Sequence, residues 1–456
     1  MIATTDTLLS GHNVHPLADR EAMLAAVGAE TMEDLFSQIP NEIRLHRPLQ
    51  IQGPLPEWEL ERKLRGLAAK NASTLTHLSF LGGGAYEHHL PAVTDALSLR
   101  GEYLTAYTPY QPEMSQGLLR YLHDFQKVLA RLLGLSEVNC SVYDGATALA
   151  ESAWMTCCAK DRPAIVVVGA LWPDYLGVLE TYMTGRGVKI HHVAADPGTG
   201  ATDPAALAAL LDIEKVAGVL VQSPNANGVF ENIAAFAEVA HQHDALLVAA
   251  GDPLAIGLVK SPGACGADIA ACEAQSLGLP LNAGGPYLGV VATKPEFKGL
   301  LPGRIVGVCD DIKGEEALAL ISEEREQHVS RDKATSHICS NQAWMALKVL
   351  IYLSWLGENG VTRLAALCAQ KARYLRGKLC EITGVRPAVS GEFFHEFLLE
   401  LPVPARPVLK HLEGAGIFGG VPIGENRLLI SVTETKSRAM LDQTAAAFAN
   451  AIQESR

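Results

Sequence analysis

Three stretches of the sequence carry residue types that can hold a phosphorylated, nitrogen-containing ring. Asp144-Gly145-Ala146-Thr147-Ala148 follows the short apolar run 140–143 and opens a predicted helix over 146–158. Small residues at a helix start leave backbone N–H groups exposed, which suits a phosphate. Asp144 equally suits a capped helix that binds nothing. Gln222-Ser223-Pro224-Asn225-Ala226-Asn227-Gly228 lies at the C-terminal end of a predicted strand, where open α/β sheets bind ligands, although Pro, Asn and Gly are also ordinary turn residues. Asp252 ends the following strand. A carboxylate there can keep a pyridine nitrogen protonated, and it can as well cap a turn.

The reactive group for such chemistry is a lysine amine. In many α/β enzymes that use pyridoxal phosphate it stands a few residues before a glycine-rich turn, like the turn in EAQSLGLPLNAGGPY (273–287). No lysine occurs between Lys260 and Lys294. A stand-alone pyridoxal enzyme would have to use one of those two, Lys260 soon after the Asp252 turn or Lys294 beyond the glycine turn. A further segment, Tyr107-Thr108-Pro109-Tyr110-Gln111-Pro112-Glu113, is stiff and polar-tipped. It suits contact with a partner or substrate, because tyrosine offers a large area at low entropic cost, and it suits interdomain packing nearly as well. The pairs His88-His89, His191-His192 and His241 with His243 have no carboxylate or cysteine at convincing ligand spacing, so no metal is expected. Gly82-Gly83-Gly84 follows no clear strand and makes a poor dinucleotide fingerprint.

These residues need a sheet to position them. Apolar runs at 164–168, 216–221 and 245–250, and the segment 188–193, read as strands, with helices at 117–133, 203–211 and 233–241. Strands alternating with helices imply a parallel sheet covered on both faces. After residue 304 the pattern reads as helical over 314–326, 341–356 and 360–381, followed by short strands at 393–401 and 427–432. The expected division is an N-terminal helical arm over 1–75, a large α/β domain over 76–330 and a small C-terminal α+β domain over 331–456.

Composition narrows the function classes. A chain of 456 residues exceeds what one core usually supports. A net charge of −13 excludes a nucleic-acid groove or an anionic membrane surface as the main business. The nine cysteines are scattered and contain no CxxC, which points to buried thiols in a reducing compartment. With no basic leader over residues 1–6 and no apolar run near membrane-span length, a cytoplasmic protein is expected.

The assembled motifs resemble a known family. AYTPYQPEMSQG (106–117), LPGRIVG (301–307) and RDKATSHIC (331–339) are similar to segments of glycine decarboxylase, the P-protein of the glycine cleavage system. The similarity runs from about residue 18 to residue 434 and fits the N-terminal-half type, which as a separate chain is the alpha subunit, or subunit 1. The resemblance implies fold type I of the pyridoxal-phosphate-dependent transferases (aspartate aminotransferase-like), a mainly parallel α/β large domain plus a small α+β domain. It also implies a beta subunit that binds pyridoxal phosphate, decarboxylates glycine and passes the aminomethyl group to lipoylated H-protein.

Counting back from Pro280, the family's Schiff-base lysine falls on Gln275, and its ring-nitrogen aspartate falls on Ala250, two places before Asp252. Glutamine cannot form a Schiff base. The resemblance therefore implies no catalytic residue and no covalently bound cofactor in this chain. Asp144, Gly145, Ala146, Thr147, Ser223, Asn225 and Asp252 would be a vestigial pocket, and Tyr107, Thr108, Tyr110, Gln111 and Glu113, with His88 and His89, would reach the pocket of the beta subunit. Arg427 stands where related enzymes often bind a carboxylate, or it neutralises Glu425.

Overall fold

A computed structural model describes residues 15–456, apart from 46 and 48. The start of the chain, where no leader is expected, lies outside the described residues. The described residues fall into two compact units, one ending at Asn71 and the other Ala72–Arg456. In the first, helices span Leu17–Ala26 and Glu57–Ala68. The second of these carries Glu57 and Glu59 in its first turn and Arg65 in its last, as the helix dipole favours. It buries none of its side chains, and Trp58, Leu60, Leu64 and Leu67 are exposed.

The larger unit is built on a seven-stranded sheet. Its strands are β1 Glu137–Val138, β2 Ala164–Val168, β3 Lys189–Val193, β4 Gly218–Gln222, β5 Leu246–Gly251, β6 Ile269–Glu273 and β7 Gly289–Thr293. They lie in the order β1-β7-β6-β5-β4-β2-β3. Strands β2 to β6 are mutually parallel, β7 runs antiparallel to β6, and β1 antiparallel to β7. Each residue of β4, β5, β6 and β7 is buried, which explains why β4 and β5 read as unbroken apolar runs rather than alternating ones. The crossover helices Pro204–Leu211 and Ile233–Gln242 start on side-chain caps, Asp203 to the N–H of Ala205 and Asn232 to that of Ala235.

The sequence reading contains no strand at β6, which places Glu273 at the C-terminal edge of the parallel sheet. A second difference is larger. The segment 314–326, expected as a helix, instead pairs Glu316–Ile321 antiparallel with Ile305–Asp310. Its Glu-Glu-Ala-Leu-Ala-Leu run consists of good helix formers, but the ladder to 305–310 and the burial of Leu318 outweigh that local preference. Asp311 closes the hairpin turn by accepting the N–H groups of Lys313 and Glu315. The helices expected at 341–356 and 360–381 form one bent element, Ala343–Cys380, interrupted where Gly357 takes φ 63° and ψ 177°.

Beyond it a four-stranded antiparallel sheet joins Arg386–Pro387, Glu396–Glu400, Arg427–Ser431 and Val421–Ile423. Phe80, Leu375, Phe397, Leu428 and Phe448 share its core. No helix among the described residues is long and apolar enough to cross a membrane. All nine cysteines are free thiols.

The turn after β6 is fixed by packing. Gly278 has φ +97°, and a Cβ there would overlap the ring of Tyr352. We expect Gly278→Ala to cost about 2–3 kcal/mol, from left-handed strain plus overpacking, seen as a lower urea midpoint. An unchanged midpoint would show that Tyr352 moves freely and that the turn is not fixed this way.

Candidate active-site pocket

The C-terminal edge of the parallel strands carries the expected residues, and a closed polar network joins them. Gln275 follows Glu273 in a short 3-10 turn and is 1% exposed. Its Oε1 accepts the N–H of Tyr86 at 2.8 Å. Its Nε2 donates to the carbonyls of Tyr86 and Leu279, each at 2.9 Å. The amide thus ties the 81–89 loop to the sheet, because a buried amide left unpaired costs about 1–3 kcal/mol per group. Ala250, in β5, offers no side chain to a ring nitrogen, and its carbonyl accepts the N–H of Ser223.

Asp252 has its partners inside the chain. One oxygen accepts the N–H of Leu254 at 2.9 Å and the hydroxyl of Ser276, and the other meets Nε2 of His395 at 2.8 Å. Burial pushes this carboxyl up, but the His395 bond and charge outweigh burial and hold it below its ordinary value. The phenol of Tyr86 lies edge-on to His395, 4.4 Å between ring centroids, and donates to Glu396. Burial, then the charges of Glu396 and Asp252, drive that phenol far up, so it stays protonated. A cavity of about 30 Å³ touches Ser223, Ala250 and Asp252, and a smaller one of about 10 Å³ is lined by Tyr86, Trp172, Pro224, Asp252, Phe394, His395 and Glu396. The smaller has room for about one water and none for an aromatic ring.

Where a phosphate would sit, the helix Gly145–Lys160 begins. Thr147 donates its N–H to the capping carboxylate of Asp144 at 2.8 Å, and Gly145 donates to Glu273 at 2.9 Å. Ala146 is buried beside them. Ser223 and Asn225 serve the loop that follows β4. The Ser223 hydroxyl accepts the N–H of Glu231, and Asn225 donates to the carbonyl of Gly200 and to Glu231.

His88 pairs with Glu434 at 2.8 Å, and His89 donates its backbone N–H to the same carboxylate. Cys368 completes a compact His–Glu–Cys group with them, explained by the hydrogen bonds among its members. Lys294 pairs with Asp268, beside the N-terminal end of β6 and so at the opposite edge of the sheet from Gln275. Lys260 is exposed, and so is Arg427, opposite Glu400 on the small sheet. The sequence reading missed Tyr86, Glu273, His395 and Glu396. Their signal was polar residues set within apolar runs, IAACE and FFHEF, which demand buried partners.

The tyrosine segment lies apart from this network. Tyr107 is 79% exposed, and its hydroxyl meets that of Ser340 at 2.5 Å. Tyr110 is half-exposed, accepts a hydrogen bond from Arg304 and lies under its guanidinium. Pro109 is buried, Thr108 is half-buried, and Gln111 and Glu113 are exposed.

Comparison with known proteins places this geometry. The model of the glycine cleavage system P-protein family matches residues 12–448. The chain belongs to that family. It is 44% identical to the probable glycine dehydrogenase (decarboxylating) subunit 1 of Moorella thermoacetica, over 94% of this chain and 97% of that protein. It is 42% identical to the protein of the same description from Chlorobium limicola, over 94% of this chain and 98% of that one. Among solved structures, a glycine decarboxylase (P-protein) of the glycine cleavage system in inhibitor-bound form matches with TM-score 0.87 and 40% identity, over 96% of this chain and 99% of that chain. A sphingosine-1-phosphate lyase of Burkholderia pseudomallei, 14% identical with TM-score 0.66, shares the fold alone, over 91% of this chain and 93% of that chain.

The fold is therefore type I of the pyridoxal-phosphate enzymes, in a P-protein chain of the subunit 1 kind. The residues present do not fit that cofactor. Gln275 supplies no amine, Asp252 is already paired, and the cavity between Trp172 and His395 is too small for a ring.

The His88–Glu434 pair sets an acid limit on stability. Burial works to raise the Glu434 carboxyl, but the His88 bond and charge and the N–H of His89 outweigh it and bring it down to about 2, from an ordinary 4.5. A carboxyl lowered in the folded state stabilises above its unfolded value and loses that contribution as pH falls through the folded one. Glu434→Gln is expected to lower the melting temperature at pH 7, with the gap to wild type closing as pH falls from about 4.5 towards 2. Parallel melting profiles across that window would contradict this assignment.

Proposed function

We propose that the chain is the alpha subunit of glycine decarboxylase in the glycine cleavage system and works with a separate beta subunit, subunit 2. The observation that carries this reading is Gln275, buried and fully partnered at the position where the family's chemistry needs an amine. In this reading the beta subunit binds pyridoxal phosphate, glycine is decarboxylated there, and the aminomethyl group passes to the lipoyl arm of H-protein. This chain completes and stabilises the pocket at the interface between the subunits, in the cytoplasm. Its division into an arm over 1–75, a large domain over 76–330 and a small domain over 331–456 belongs to the same proposal.

The segment offered to that interface is 107–113. Its tyrosines are exposed yet held, Tyr107 through Ser340 and Tyr110 through Arg304. Side chains already fixed lose little entropy on meeting a partner. The test is glycine–bicarbonate exchange with lipoylated H-protein for this chain alone, the beta chain alone and the mixture. Exchange only in the mixture is expected, and exchange by this chain alone would overturn the reading. Within the mixture, Tyr107→Ala or Tyr110→Ala should lower exchange by roughly tenfold or more through misplacement of the interface, with the complex still intact on gel filtration. Undiminished turnover would remove the segment from the interface pocket.

A further inference from the structure

We infer that the carboxylate of Glu273 is a built-in replacement for a phosphate group, and that this chain has exchanged an anionic ligand for a side chain of its own. Glu273 ends β6 with its side chain turned to the start of the Gly145–Lys160 helix. Its Oε2 accepts the N–H of Gly145 at 2.9 Å, while its Oε1 accepts those of Leu288 at 2.9 Å and Gln275 at 3.1 Å. Three converging backbone N–H groups, one from the first turn of a 16-residue helix, make the kind of concavity that binds anions. Here the occupant is a carboxyl group that is covalently part of the chain and 6% exposed.

The fit on the other side is close. A Cβ at Gly145 would collide with the Tyr175 hydroxyl and with Glu273, so the helix start meets the carboxylate only because glycine stands there. The Tyr175 phenol is buried, and burial followed by the charges of Glu273 and Asp144 pushes its pKa far up, which keeps it a hydroxyl.

The surroundings also argue against an exogenous anion. Glu273 and Asp144 are both acidic, and a phosphate dianion brought to the same N–H groups would face their carboxylates with no ion-paired cation beside it among the described residues. Burial raises the Glu273 carboxyl to about 7 despite its three donors, with the Asp144 charge pushing the same way. The seat is therefore occupied, small and already short of positive charge.

The test is chemical rescue on the full chain. Wild type should show no change in melting temperature with inorganic phosphate or with pyridoxal phosphate, relative to chloride at equal ionic strength. Glu273→Ala should melt roughly 3 °C lower or more, having left the N–H groups of Gly145, Leu288 and Gln275 unpaired. Phosphate and sulfate, but not chloride, should recover most of that loss. Glu273→Ser, which clears the seat but keeps one acceptor, provides the same measurement if the alanine variant does not fold. Gln275→Lys with Glu273 intact should gain no visible absorbance with pyridoxal phosphate. Stabilisation of wild type by phosphate, a Gln275→Lys chain that takes up the cofactor, or variants whose folding and stability ignore phosphate would each overturn the inference.

Discussion

A side chain buried from water must find a partner for every polar atom it carries, and in this fold Gln275 obeys that constraint by reaching across to the 81–89 loop. Its three bonds to Tyr86 and Leu279 fix the position of Tyr86. Tyr86 in turn packs on His395 and bonds Glu396, and His395 holds Asp252. Loss of the amide would leave backbone groups unpaired in a dry interior, where each costs more than the bond itself contributes. Gln275 is here a structural rivet.

Around that rivet the pocket has become a polar core rather than an apolar one. Asp252, Glu273 and Glu396 are three carboxylates within one buried network, and each is accounted for differently. His395 hydrogen-bonds Asp252, backbone N–H groups surround Glu273, and burial favours the protonated form of Glu396. A network of this type stabilises only when every member is satisfied. It also resists reversion: restoring a lysine at 275 would break the bonds to Tyr86 without making space for a ring.

The sheet was legible in the sequence because three of its parallel strands, β2, β4 and β5, are apolar runs between turn residues, and burial on both faces needs little else. The hairpin at 305–321 was not, since alanine, leucine and glutamate favour a helix until a neighbouring strand offers a ladder. The family could be read from the long motifs at 106–117 and 331–339. The closure of the pocket could not. Tyr86 is 189 residues from Gln275 and 310 from Glu396, His395 is 143 from Asp252 and Glu273 is 128 from Gly145, and single-sequence patterns report neighbours along the chain, not across it.

The contrast between the pocket and the tyrosine segment carries the last step. Inside, Gln275, Asp252 and Glu273 all have their partners within the chain. On the surface, residues 104–114 leave Leu104, Tyr107, Tyr110 and Met114 uncovered, while Ser340 and Arg304 hold the tyrosine hydroxyls in place. Uncovered apolar area does nothing for the stability of an isolated chain and adds a risk of association. A segment that is both stiff and uncovered makes physical sense when another surface completes it, because its ordering has already been met within the chain. On the reading proposed above, the closed pocket and the open segment are two aspects of one change: the chain has given up its own ligand and presents a preformed edge to a site held elsewhere.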